Sequence, residues 1–82
     1  MKLHEFISKT IGEKIPENSK IIFTGNFKNT QEENISWGID SVHDAATFAK
    51  RSSGKIFINA IYDGFMHIRK CMKDDILEAL NS

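Results

Sequence analysis

The chain reads as an α+β protein: a two-layer, mainly antiparallel four-stranded sheet with helices chiefly on one face, in the order α-ββα-ββα. Three observations predict it. Apolar residues recur at helical spacing up to Ile15, a capped helical stretch separates two groups of β-branched and aromatic strands, and an Asp-Gly step interrupts the second group.

Taken in order, Leu3, Phe6, Ile7, Ile11 and Ile15 fall on one stripe of an opening helix, which Pro16 is expected to end. Lys20 to Phe27 (KIIFTGNF) is β-branched and aromatic and predicts a strand, and KNTQEEN after it predicts a loop. From Asn34 to Asp40 the alternation of Ile35, Trp37 and Ile39 with polar residues or glycine predicts a half-buried strand. Ser41 stands three residues before Asp44, the spacing of a capping box with Asp in the Glu or Gln position. Val42, Ala45, Ala46 and Ala49 then give a narrow apolar stripe for a helix running to about Arg51. Ser52-Ser53-Gly54 is expected to close that helix, with Gly54 left-handed.

KIFINAIY (Lys55 to Tyr62) predicts a strand, and Asp63-Gly64 predicts a hairpin with FMHIRKCM returning. A three-residue loop of Tyr62, Asp63 and Gly64 sorts the side chains best, since Ala60 would oppose Met66, Ile58 would oppose Ile68, and Ile56 would oppose Lys70. The other face would then carry Phe57, Asn59, Ile61, Phe65, His67 and Arg69. Asp74 and Asp75 suit the first turn of a short final helix, where negative charge meets the positive end of the helix dipole. The alternative is α-ββ-α-β-α with one long C-terminal helix over 65–81, because Phe65, Ile68, Met72, Ile76, Ala79 and Leu80 also fall near one stripe.

Eighty-two residues predict a single domain over 1–82, and a core this small would gain from self-association, so a homo-oligomer is among the expectations. Eleven basic and eleven acidic side chains cancel, so the chain as a whole lacks the positive field on which non-specific nucleic-acid binding depends. One cysteine, Cys71, excludes an internal disulfide framework and fits a reducing, cytoplasmic setting. Neither a signal-peptide pattern nor an apolar membrane span is visible, and no membrane association is expected. Isoleucine far outnumbers leucine and lysine outnumbers arginine nine to two, a bias associated with AT-rich coding sequences such as those of a bacterium or its phage.

Enzymatic patterns are missing. His4, His43, His67 and Cys71 lack the paired spacing of a metal site, so no metal and no cofactor are expected. Ser41 and His43 sit two apart on a helix and point to nearly opposite sides, which precludes a nucleophile-base pair. Glu32-Glu33 and Asp74-Asp75 are adjacent carboxylates in a loop and at a helix start, and TGNF has too few glycines to cradle a phosphate. The chain is therefore expected to have no catalytic residues.

Charge placement has more shape. Lys50, Arg51, Lys55, Arg69, Lys70 and Lys73 face only Asp63 across 50–73, whereas the flanking segments are net acidic. With the aromatic hairpin face, this predicts a partner-binding surface of Lys50, Arg51, Phe57, Phe65, His67, Arg69 and Lys70. The expected function is a small non-enzymatic module, an adaptor, inhibitor or regulator, that binds another protein through the 55–73 hairpin. A nucleic-acid-binding module using the basic aromatic face is the alternative.

Overall fold

A computed structural model describes residues 1–81. Its elements are α1 (Leu3–Ile11), β1 (Lys20–Phe27), β2 (Ile35–Gly38), α2 (Val42–Arg51), β3 (Ser52–Tyr62), β4 (Phe65–Met72) and α3 (Lys73–Leu80). The strands form one sheet in the order β2-β1-β3-β4, and every neighbouring pair is antiparallel. This is the α-ββα-ββα arrangement that the sequence predicts, and the long helix over 65–81 does not form.

Local chemistry explains where the elements stop. Gly12, at φ 69°, caps α1 with its N–H on the Ser8 carbonyl. The helix therefore ends at Ile11, well before Pro16, and Ile15 is buried from the loop that follows. Ser41 caps α2 as expected, its hydroxyl accepting from the Asp44 N–H, although the Asp44 carboxylate reaches back to the Asp40 N–H instead of completing the box on Ser41. No glycine closes α2. The chain passes straight from Arg51 into an extended Ser52, and Gly54 lies within β3. Asp75 accepts the Met72 N–H at 2.9 Å, so the acidic pair does serve the start of α3.

All three helices pack on one side of the sheet. Phe6 and Ile7 of α1, Ala45, Phe48 and Ala49 of α2, and Ile76 and Ala79 of α3 are buried with Ile21, Phe23, Ile56, Ile58, Ala60 and Cys71 of the strands. Burying each large side chain in this set is worth about 1.5–3 kcal/mol. Phe48, which the alanine stripe of α2 does not reveal, sits at the centre. Its ring meets Phe23, Phe27 and Trp37 edge-on, at centroid distances of 5.6, 4.9 and 5.5 Å.

The hairpin departs from expectation in one consequential way. Asp63 and Gly64 both take positive φ, 52° and 80°, which makes a two-residue turn of the I′ kind whose twist matches the strands it joins. Tyr62 therefore pairs with Phe65, Ala60 with His67, Ile58 with Arg69 and Ile56 with Cys71. The register is one residue from that of a three-residue loop, and in a strand one residue moves a side chain to the opposite face. The expected apolar face of Ile56, Ile58 and Ala60 with Met66 and Ile68 does not exist. The expected aromatic face of Phe57 with Phe65, His67 and Arg69 is divided between the two sides of the sheet.

Candidate interaction surface

Alternation along each strand defines what the helices leave uncovered. On β3 the residues between the buried Ile56, Ile58 and Ala60 are Phe57, Asn59 and Ile61, and their partners across β4 are Lys70, Ile68 and Met66. These side chains point away from the helices. Phe57 is 37% exposed, Met66 55%, Ile68 52% and Met72 48%, with Ile22 and Ile61 half-buried beside them. Six apolar side chains thus share one solvent-facing patch, five on β3 and β4 and Ile22 on the neighbouring β1.

The rest of the same face is polar. Thr24 and Ser36 hydrogen-bond across β1 and β2 at 3.1 Å, and the Asn59 amide donates to the Ile22 carbonyl at 3.0 Å and to the Thr24 hydroxyl at 3.2 Å. Asn59 is nearly buried, and these bonds meet the cost of enclosing its amide. The charged residues on the face are Lys20, Lys55 and Lys70, with no carboxylate among the outward positions of the four strands.

β4 is an edge strand, and its free edge is partly closed. A two-residue turn ends on a mutually hydrogen-bonded pair, so Phe65, His67, Arg69 and Cys71 bond inward to β3, while the backbone groups of Met66, Ile68, Lys70 and Met72 point outward. Two of these are occupied. Arg69 Nη1 donates to the Ile68 carbonyl at 3.0 Å, and Asp75 accepts the Met72 N–H.

On the helix side of β4, Arg69 grips Glu13 with both carboxylate oxygens engaged, at 2.8 and 3.1 Å. The guanidinium holds the Glu13 carboxyl below its usual range, and the carboxylate raises Arg69 in return. His67 stacks on Tyr62 with ring centroids 3.9 Å apart, and its Nε2 is buried without a partner. Phe65 stands at the hairpin tip, 70% exposed. Lys50 and Arg51 lie elsewhere, at the end of α2, where the Arg51 guanidinium sits 5.3 Å from the Trp37 ring centroid and borders a hollow with Phe27, Lys28 and Ile35. Beside it the Lys73 ammonium pushes the Lys28 pKa down.

The seven sequence-predicted residues therefore occupy three places. Phe57 and Lys70 are on the uncovered face, Phe65, His67 and Arg69 are on the opposite side of β4, and Lys50 and Arg51 are at the end of α2. Sequence reasoning missed Met66, Ile68 and Met72, having placed the first two on one apolar face with Ile56, Ile58 and Ala60. The signal that could have found them is the Asp-Gly pair itself, whose residues both favour the positive φ of a two-residue turn.

Chemically the surface offers apolar contact and positive charge. Among the described residues no group of three His, Cys, Asp or Glu side chains converges to hold a metal. Burial pushes the Cys71 thiol up to about 12, leaving it a poor nucleophile at neutral pH. No helix of the described residues is long and apolar enough to cross a membrane. No family model matches the chain, and neither the curated proteins nor the solved structures contain a match to it.

Proposed function

We propose that the protein is a non-enzymatic binding module that recognises another protein through the uncovered β3–β4 face. The observation that carries this reading is the contrast within one sheet face. Outward positions on β1 and β2 are mostly polar, as for a sheet facing water, whereas those on β4 are Met66, Ile68, Lys70 and Met72. Contiguous exposed apolar patches mark interaction sites, and methionine is over-used where a surface must adapt to its partner.

A nucleic-acid partner is less well supported. Stacking of unpaired bases needs aromatic rings, and Phe57 is the one aromatic side chain on this face. A regulatory or inhibitory role in a cytoplasmic setting is compatible with this module and adds nothing to the test. A photocrosslinking amino acid placed at Ile68, and for comparison at the exposed Lys9 on α1, distinguishes the readings in cells of the native source. A protease-sensitive adduct from position 68 and none from position 9 is expected. A nuclease-sensitive adduct, or one formed from position 9 alone, would overturn the assignment.

A further inference from the structure

Given the reading that the β3–β4 face binds protein, we infer that its occupant is an amphipathic helix of the partner, with carboxylates flanking the helix's apolar stripe near both ends.

Extended peptides bind sheets by adding a strand at an open edge, so the state of the β4 edge decides between strand and helix. That edge is obstructed. The Ile68 carbonyl is taken by Arg69 and the Met72 N–H by Asp75, so a docking strand would have to displace a side chain that already ties Glu13 to β4 and a contact that starts α3. The opposite edge, β2, is four residues long. An occupant of the apolar patch is thus directed onto the face, where backbone pairing is not on offer and the occupant must satisfy its own backbone. A helix does so.

The patch has helical dimensions. From Met66 to Met72 the strand rises roughly 20 Å, and two strands span roughly 10 Å. A helix of about 14 residues is as long, and its diameter is about 10 Å. Phe57, Ile68 and the two methionines would face a stripe of apolar residues at spacings of three and four.

Charge sets the flanks. Lys20 pairs with Ile61 toward the hairpin tip, and Lys55 pairs with Met72 at the far end, with Lys70 one row in. Cations therefore lie near both ends of the patch, and none of the three forms an ion pair among the described residues. A second copy of this chain would bring three more lysines and no carboxylate to the contact, which disfavours a face-to-face dimer.

The test uses the full chain with labelled Ile and Met methyl groups, titrated by nuclear magnetic resonance with four probes. These are a designed amphipathic peptide of about 16 residues with leucines at spacings of three and four and glutamates on both flanks, the same peptide with lysines for the glutamates, the acidic peptide broken by a central proline, and an oligothymidylate. The acidic helix is expected to move the Ile68, Met66, Met72 and Ile61 methyls, with affinity roughly tenfold or more above the lysine and proline versions. The Lys55→Glu, Lys70→Glu double variant should reverse the preference between acidic and basic peptides.

Shifts at these methyls with equal affinity for all three peptides would overturn the helix inference and leave the surface assignment standing. Shifts confined to other methyls, or none, would overturn both. Tighter binding of the oligothymidylate at the same methyls would replace the protein partner with nucleic acid. Concentration-dependent shifts there without any probe would make a second copy the occupant.

Discussion

Substituting Asp63 by alanine and by glycine tests the hairpin on which the surface assignment rests. In the two-residue turn Asp63 has φ 52°, and its side chain is exposed, so the comparison isolates the backbone. A side chain in the left-handed region costs alanine about 1–2 kcal/mol, while alanine recovers about 0.4–1 kcal/mol by restricting the unfolded chain. The net expectation is that Asp63→Gly is the more stable variant by roughly 1 kcal/mol. A three-residue loop would put residue 63 in a right-handed conformation, where alanine is favoured over glycine by roughly 0.5–1 kcal/mol. The sign reverses between the two registers. With an unfolding entropy of roughly 170 cal/mol/K for a chain of this length, a 1 kcal/mol difference separates the melting temperatures by about 6 °C. Urea midpoints at a common m-value, followed by Trp37 fluorescence, would measure it. An Asp63→Ala protein at least as stable as Asp63→Gly would refute the register, and with it the placement of Met66, Ile68 and Lys70 on one face beside Phe57.

Phe48→Ala removes the hub of four aromatic rings and should cost about 3–5 kcal/mol, much of the roughly 4–12 kcal/mol available to a domain of this size, so thermal melts should show a protein close to unfolding. Met66→Lys, at a position 55% exposed, should keep the unfolding free energy within about 0.5 kcal/mol of the parent while abolishing the crosslink from position 68. The folded Cys71 thiol, raised to about 12 from 9.0, keeps its proton where the unfolded thiol ionises, so its contribution is present below pH 9 and is lost as pH rises toward 12; urea midpoints should fall over that window, more than in Cys71→Ala. Arg69→Ala should return the Glu13 carboxyl to its ordinary range in a carbon-detected titration and, by uncovering the Ile68 carbonyl, increase association measured by sedimentation.

Element identity was legible because each element carries its own local signal: the Ile and Phe stripe of α1, the Ser41 cap of α2, the Asp75 cap of α3, and β-branched runs between them. Boundaries were less so. Pro16 and Gly54 look like terminators, but Gly12 had already ended α1 through its left-handed conformation, and Ser52 passed directly from helix to strand. The site was legible in its region and illegible in its face. Sorting side chains into an apolar side and a mixed side assumes that charge avoids the helix layer. Arg69 does lie on that side, because Glu13 at the end of α1 receives it, and His67 does because Tyr62 stacks over it. Both partners come from tertiary or turn geometry that no strand-by-strand pattern encodes. Once those two residues face the helices, Met66 and Ile68 must face away.

The position of Arg69 also changes its meaning. As a hairpin cation it looked like a contact for an acidic partner, but its guanidinium is committed to Glu13 and to the Ile68 carbonyl. The same side chain fastens the end of α1 to the sheet and covers a backbone acceptor on an edge strand whose outward side chains are apolar. An apolar edge strand with free backbone groups invites pairing with further copies, an association that can extend without limit. Covering two outward backbone groups of the edge while leaving the face apolar would bias association toward one side of the sheet, where a partner would have to supply side-chain complementarity instead of generic backbone bonds. Under the proposed reading, Lys20, Lys55 and Lys70, unpaired within the described residues, would favour an acidic partner and disfavour another copy of the same face.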